Sequence, residues 1–273
     1  MTQREKAERL RELHRPGDPL VLVNAWDAAS ARLVVRAGAR AVATSSAAAA
    51  YMFGYPDGQA ISREAMLDSV AVVAHAVDVP ASADMEAGYG DDADAARATA
   101  TGVVEAGAVG LNLEDTEAAG GLLPVGRFVQ KIEAVRAVAE ETGVPLVLNA
   151  RTDVFIGEIG APETRLEHAV ERGRAYLAAG ADCVFVPAVA DEEAIGELVR
   201  GIGGPVSVLA TPRTPTLPAL ARLGVARVSM GSAPYRAALT TLVRIADEAY
   251  GMGTFSSLEA ARVSHADTQA LFA

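Results

Sequence analysis

The chain has 273 residues, 51% of them apolar, and a formal net charge of −11. That length suits one large hydrophobic core, and no uncharged run approaches the roughly 20 residues of a membrane span, so we expect one soluble, cytoplasmic domain over residues 1–273. The negative charge argues against nucleic acids and anionic membranes as partners, since both bind basic surfaces, and leaves small molecules or other proteins.

The first segment, MTQREKAERLRELHRPGDP, predicts a charged amino-terminal helix followed by a break at proline and glycine. Short apolar segments then alternate with helical stretches rich in Ala, Glu and Arg, several of which end at a glycine. The predicted strands, in chain order, are LVLVNAWD (20–27), AVATSS (41–46), PASADME (80–86), GLNLED (110–115), PLVLNART (145–152), CVFVPA (183–188), PVSVLA (205–210) and RVSMG (227–231).

These eight alternating strand and helix units predict an α/β fold, a closed (β/α)8 TIM barrel. Continuous apolar strands separated by helices indicate a parallel sheet whose outer face is covered by those helices. A doubly wound open sheet is the alternative. Residues 252–273 follow the eighth unit and predict a further carboxyl-terminal helical segment, which has no place in a minimal barrel.

Polar residues stand at the ends of four successive predicted strands. From the second strand to the fifth they are Ser45 and Ser46, Asp84 and Glu86, Glu114 and Asp115, and Arg151 with Asp153 shortly after. Barrel enzymes build their sites from this end of the strands, so we expect these side chains to meet. Because side chains alternate along a strand, residues 84 and 86 are expected to share the face that points into the barrel mouth.

Carboxylates that converge in this way repel one another unless a cation lies among them. Oxygen ligands without cysteine or histidine nearby favour Mg²⁺ or Mn²⁺ over zinc. The sequence therefore predicts a divalent metal site at the barrel mouth. The alternative is that an acid such as Asp84 or Glu114 caps the following helix or pairs with Arg151.

Three segments in this region resemble the motifs of a known family. ADMEAGYG (83–90), NLED (112–115) and NARTD (149–153) are similar, in the same order, to motifs of the isocitrate lyase and phosphoenolpyruvate mutase superfamily. The resemblance covers nearly the whole chain. It implies a Mg²⁺-dependent lyase or hydrolase that acts on a small 2-oxo acid through a metal-stabilised enolate and breaks a C–C or P–C bond. It also implies a dimer of dimers that exchanges carboxyl-terminal helices.

The resemblance implies a role for each acid and for the arginine. Asp84 corresponds to the residue that binds the metal directly, and it is also implied as one of the residues that bind the substrate. Glu86 and Glu114 correspond to residues that hold the ion through its water molecules. Arg151 is implied as a catalytic residue that grips the substrate carboxylate and the developing enolate oxygen.

Two further segments supply site residues by the same resemblance. The TSSAA turn (44–48) brings Ser45, Ser46 and Ala47 to the substrate carboxylate, and the alternative is a turn of small residues needed for packing. Asp57, in FGYPDGQAIS (53–62), is implied as a catalytic residue that reaches over the site. Its alternative is a plain Pro-Asp-Gly turn.

The chain departs from the family in the segment EDTEAAGGLLPVGRF (114–128). The C–C lyases carry a catalytic cysteine in this loop, but here the segment has no cysteine, lysine or histidine. We therefore do not expect an isocitrate or methylisocitrate lyase. Decarboxylation of an oxaloacetate-like acid, or cleavage of a phosphonopyruvate-like one, is the leading expectation. A mutase-type enzyme, or a catalytically weak relative that binds a 2-oxo dicarboxylate, is the alternative.

Overall fold

The computed structural model describes residues 1–117, 119–260 and 262–273, and its centre is a parallel β-barrel. The strands are β1 (Leu20–Leu22), β2 (Val42–Ala43), β3 (Ala81–Asp84), β4 (Gly110–Glu114), β5 (Val147–Arg151), β6 (Cys183–Val186), β7 (Val206–Leu209) and β8 (Arg227–Ser229). Their order is β1-β8-β7-β6-β5-β4-β3-β2. A parallel bridge between Asn24 and Ala43 joins the β1 and β2 segments and closes the ring. The predicted (β/α)8 barrel is confirmed, and the open-sheet alternative is wrong.

Helices surround most of the barrel and cover its amino-terminal end, but the long helix Ala233–Gly251 buries only Glu248 among its residues. They are α1 (Gln3–Leu13), α2 (Ala28–Arg36), α3 (Ser46–Met52), α4 (Arg63–His75), α5 (Ala93–Glu105), α6 (Val125–Thr142), α7 (Arg165–Ala178), α8 (Glu192–Ile202), α9 (Leu217–Leu223), α10 (Ala233–Gly251) and α11 (His265–Ala270). Helix α1 buries Leu10 and Leu13 against Val109 and Val147 near the starts of β4 and β5. The opposite end of the barrel is thereby left for the site.

Several predicted strands are longer than the strands observed, and in the first two a helix cap lies within the predicted range. Asp27 and Ser45 were placed at predicted strand ends, but their side chains accept hydrogen bonds from backbone amides in the first turns of α2 and α3. Such N-cap residues satisfy amides that have no partner within the helix, so the chain leaves the sheet there. None of the described helices is long and apolar enough to cross a bilayer.

The segment after the barrel folds back onto the body of the molecule. Glu248 is buried in α10, where its carboxylate accepts hydrogen bonds from Thr254 Oγ1 at 2.7 Å and from the Ser257 amide at 2.6 Å. Farther along, Arg32 of α2 donates to the carbonyl of Leu271 and lies over the Phe272 ring, 4.9 Å from its centroid. These contacts place α11 beside α2.

Candidate active site

A cavity of about 150 Å³ opens at the carboxyl ends of the barrel strands. Six of the residues that the sequence assigned to the site line it, and they are Ser45, Ser46, Ala47, Asp57, Asp84 and Arg151. The other lining residues are Asn24, Asn112, Ile156, Phe185, Pro187, Leu209, Ser229, Gly231 and Ser232. Segments distant in sequence therefore converge at one end of the barrel, as the strand-end pattern predicts.

Asp84, the last residue of β3, is held in a fixed orientation by its neighbours. Its Oδ2 accepts hydrogen bonds from the Ser46 amide at 3.0 Å and the Ser46 hydroxyl at 2.8 Å. Its own amide donates to Thr44 Oγ1 at 2.9 Å. The Asn112 side chain is 3.5 Å from Oδ1, too far for a strong hydrogen bond. Oδ1 thus keeps capacity for a further ligand, and the donors of Ser46 are used on Asp84.

Glu86 lies beyond the end of β3, so the expected alternation of residues 84 and 86 along one strand is wrong. The strand stops at Asp84, and Glu86 has φ 52°, in the left-handed region. The side chain is buried all the same. The Gln59 amide donates to Oε2, while Oε1 has no hydrogen-bond partner in the structure. A turn, rather than the pleat of a strand, brings this carboxylate towards the site.

The acids near the cavity repel one another. Burial, together with the negative charges of Asp84 and Asp57, raises the pKa of Glu86 to about 7. Burial and Asp84 also raise the pKa of Asp57, although Asp57 stands at the exposed rim. Shifts of this kind mark a site at which carboxylates lack sufficient positive charge.

A hydrated divalent cation fits this set of residues. Among residues 1–117, 119–260 and 262–273, no three His, Cys, Asp or Glu side chains are grouped so that they could hold an ion. Mg²⁺ commonly keeps several water molecules and needs only one or two carboxylates from the protein. Oδ1 of Asp84 is a suitable hard donor for such an ion, and the unpartnered Oε1 of Glu86, which does not line the cavity, suits its water molecules.

Arg151, the last residue of β5, is paired with acids on two sides. Its Nη1 lies 2.8 Å from Glu114 Oε2, and its Nε and Nη2 lie 2.5 and 2.9 Å from the two oxygens of Asp153. Burial opposes the charge on Arg151, but Glu114 and Asp153 outweigh it and raise its pKa. Glu114 does not line the cavity, and its contact is the arginine pairing that the sequence left as an alternative.

A buried hydrogen-bond network that the sequence did not predict positions Asp153, the partner of Arg151. Asp115 is fully buried and accepts from Tyr176 Oη at 2.6 Å and Arg172 Nη1 at 2.9 Å, both on α7. Its other oxygen accepts from the Asp153 amide at 2.9 Å. In the sequence only Asp115 itself, the second acid of NLED, hinted at this network, because Arg172 and Tyr176 lie about 60 residues farther along the chain.

The turn that follows Glu86 is held by a lysine that the sequence also missed. Lys131 of α6 is completely buried, and its Nζ donates to the carbonyls of Ala87 at 2.5 Å and Gly90 at 2.6 Å. Gly88 has φ +85°, and a Cβ there would lie 2.7 Å from Leu113 Cδ1. A larger residue cannot replace this glycine without displacing its neighbours.

The loop between β4 and α6 is folded back in a small hairpin. Thr116 and Leu122 form an antiparallel bridge, and the Gly120 amide donates to the Glu117 carbonyl at 2.8 Å. The Thr116 hydroxyl donates to Asp153 Oδ2 at 2.9 Å, which ties the loop to the Arg151 pair. Ala118 lies outside the described residues, and the described part of the loop does not line the cavity.

Comparison with known proteins gives matches over most of the chain. Residues 10–250 match the family model described as phosphoenolpyruvate phosphomutase. The chain is 31% identical over 217 residues to 2-methylisocitrate lyase of Bacillus subtilis, covering 77% of this chain and 68% of that protein. It is 32% identical over 201 residues to oxaloacetate decarboxylase of Ectopseudomonas mendocina, and the alignment covers 71% of this chain and 67% of that protein. A Burkholderia cenocepacia structure named as a lyase/mutase superposes with a TM-score of 0.91 at 38% identity, and the match covers 99% of this chain and 97% of that one.

Proposed function

Because the chain belongs to the phosphoenolpyruvate phosphomutase family, within the superfamily of lyases and mutases that act on 2-oxo acids, we propose that it is a Mg²⁺-dependent lyase of a small 2-oxo acid. Decarboxylation of an oxaloacetate-like acid is the leading reaction. The observation that carries the proposal is the convergence of Asp57, Asp84 and Arg151 in a cavity of about 150 Å³.

In this proposal the three acids bind the ion in two ways, directly and through water molecules. Asp84, oriented by Ser46, would hold it through Oδ1, and Glu86 and Glu114, neither of which lines the cavity, would hold it only through water molecules. When bound, Mg²⁺ supplies Lewis acidity that stabilises negative charge on the oxo group of the substrate. Mn²⁺ has similar ligand preferences and is expected to substitute.

Arg151 is proposed to bind the substrate carboxylate. A guanidinium has five N–H donors, and the contacts with Glu114 and Asp153 use three of them. Two donors therefore remain for a substrate. The paired acids fix the orientation of the guanidinium, and its permanent charge suits a carboxylate better than a lysine would. Ser45 and Ala47 lie beside the same cavity and are proposed as further contacts.

Decarboxylation asks little further of the protein. The bond between the third carbon and the leaving carboxylate breaks, its electron pair moves into the enolate, and CO₂ departs. A proton from water or from Asp57 then adds to the third carbon. The position of Asp57 in the lining of the cavity supports a role in proton transfer, because a general acid must be able to reach the reacting carbon.

A catalytically weak relative that binds a 2-oxo dicarboxylate is the second candidate. The loop sequence, which has no cysteine, lysine or histidine between residues 114 and 128, favours it over a lyase that needs an acid or base there. A mutase-type reaction is also an alternative. These functions differ in whether a product forms and in which product it is.

The test is to incubate the protein and Mg²⁺ with a panel of 2-oxo acids and to measure pyruvate release. Asp84→Ala is the matched control, and a chelator removes the metal. Release of pyruvate from oxaloacetate above the control supports the lyase. Metal-dependent binding without turnover supports the binder, and a lack of binding to every acid rejects the site.

We also propose that the chain is one barrel domain with residues 252–273 as an extension, and that it assembles as a homo-oligomer by exchanging carboxyl-terminal helices. Helix α10 exposes the apolar side chains of Leu239, Leu242 and Val243. Beside α2 and β1 lies a mostly apolar cavity of about 490 Å³. A partner's α10 that covered this cavity would bury both surfaces.

A further inference from the structure

The cavity at the barrel mouth has two chemically different walls. The residues contributed by β1 to β5 and their following loops are mostly polar or charged. The apolar side chains are grouped on the loop after β5, on β6 and the segment after it, and on β7, and they are Ile156, Phe185, Pro187 and Leu209. Ser229, Gly231 and Ser232, from β8 and the segment after it, adjoin the polar wall. Phe185 and Leu209 belong to the neighbouring strands β6 and β7, so the apolar wall is part of the rigid barrel.

The apolar wall offers nothing to bind a second negative charge. Among the described residues that line the cavity, Arg151 is the only cation, and three of its donors are already used. A phosphonate or carboxylate placed against Phe185 and Pro187, which are both buried, would lose water and find only Arg151, 5.9 Å from the Phe185 ring centroid, whose two remaining donors are already assigned to the first carboxylate of the substrate. An alkyl group placed there would instead gain from leaving water.

The rim of the same wall carries an exposed apolar residue. The Ile156 side chain is 47% exposed although it lines the cavity, and Leu209 is half-buried. Both would become more buried if an apolar group of a ligand lay between them. The exposure of Ile156 and Leu209 is thus what we expect of side chains that a bound ligand covers.

We infer that the site selects 2-oxo acids whose third carbon carries a short alkyl group, over those in which that carbon carries an additional anionic group directed at this wall. The inference rests on the proposed function, because it uses the same metal and the same carboxylate contact. It adds the substrate class. Cleavage of such a substrate leaves an alkyl-substituted pyruvate, such as 2-oxobutanoate, rather than pyruvate itself.

The experiment is calorimetric titration of the Mg²⁺-loaded protein with oxalate and small 2-oxo acids, and phosphorus NMR checks that phosphonopyruvate stays intact during the titration. Oxalate lacks a third carbon, pyruvate has an unsubstituted one, and 2-oxobutanoate and 3-methyl-2-oxobutanoate add methyl groups to it. Phosphonopyruvate adds an anion. We expect affinity to rise by up to about fourfold for each added methyl group that becomes buried, and phosphonopyruvate to bind more weakly than pyruvate.

Two variants show whether the wall is responsible. Leu209→Ala should abolish most of the preference for 3-methyl-2-oxobutanoate over pyruvate and leave oxalate binding unchanged, while Leu209→Met should keep the preference. Ile156→Ser lies at an exposed position, so it tests the same point with little risk to folding.

The outcomes separate this inference from the proposed function. If neither oxalate nor pyruvate binds with Mg²⁺, the proposed function fails first. If both bind but alkyl groups give no gain, or phosphonopyruvate binds more tightly than 2-oxobutanoate, the inference is overturned and the proposed function stands.

Discussion

Ser46 donates both its backbone amide and its hydroxyl to the same oxygen of Asp84, at 3.0 and 2.8 Å. Two donors on Oδ2 fix the carboxylate and leave Oδ1 as its open ligand position. Ser46 therefore acts on the proposed metal through Asp84. Outer contacts of this kind commonly change metal affinity by about 10- to 100-fold when they are removed.

The first prediction concerns this pair. Asp84→Ala should lower Mg²⁺-dependent oxalate binding by more than about 100-fold, because the direct ligand is lost, and Ser46→Ala should lower it less. Calorimetry measures both, and circular dichroism checks that the barrel persists. Unchanged metal and oxalate binding in folded Asp84→Ala would rule out the site.

The second prediction separates stability from metal binding at Glu86. The raised pKa of Glu86, about 7, means that its ionised form opposes folding when no metal is present. Glu86→Gln should therefore raise the melting temperature of the metal-free protein at pH 8, yet weaken Mg²⁺ binding by about tenfold. A lower metal-free melting temperature together with full Mg²⁺ affinity would contradict the assignment.

The strands and the acids at their ends could be predicted because their signals are local in the sequence. Apolar runs mark the strands, and Asp84 follows one directly. Lys131 and Tyr176 could not be predicted, since each lies on a helix and acquires its role from a turn or an acid on a different element. Glu86 was placed near the site for the wrong reason, because its position depends on a left-handed turn that alternation does not describe.

The third prediction is a loss of stability in acid caused by His14. This side chain is buried, its Nδ1 lies 2.8 Å from the Leu10 carbonyl, and burial together with Arg227 lowers its pKa to about 4. Between pH 6.5 and 4 the unfolded chain binds a proton that the native state does not. Stability should thus fall as the pH drops through this range, by at most about 3 kcal/mol from this group.

Urea unfolding between pH 4.5 and 8 measures the effect. His14→Met keeps a side chain of similar size without a titratable group, so its stability should depend less steeply on pH. An identical pH dependence in the two proteins would show that His14 is not responsible.

The fourth prediction concerns assembly. Light scattering at micromolar concentrations should show an oligomer, with a tetramer expected. Val243→Glu should shift it to smaller species, because the charge would be buried against the partner's apolar surface. Val72→Glu, at a similarly exposed valine of α4, is the matched control, since Val243 is 57% and Val72 is 51% exposed. A wild-type protein that stays monomeric would refute the helix exchange.

The last prediction concerns the loop between β4 and α6. In decarboxylation the departing CO₂ needs no general acid, and water can protonate the enolate, so a loop without cysteine, lysine or histidine is no handicap. Cleavage of isocitrate or methylisocitrate is different. A hydroxyl must lose a proton and the departing carbanion must gain one, and each transfer needs a positioned group.

We therefore expect turnover of an oxaloacetate-like acid and none of isocitrate, measured as pyruvate and glyoxylate release. Glu117→Gln should cost only a small part of the activity, because Glu117 does not line the cavity. A larger loss is expected for Asp115→Asn, because Asp115 is buried and accepts hydrogen bonds from Tyr176, Arg172 and the Asp153 amide. Robust cleavage of isocitrate would contradict this, and would mean that Asp57 or a carboxylate of the loop supplies the proton transfers.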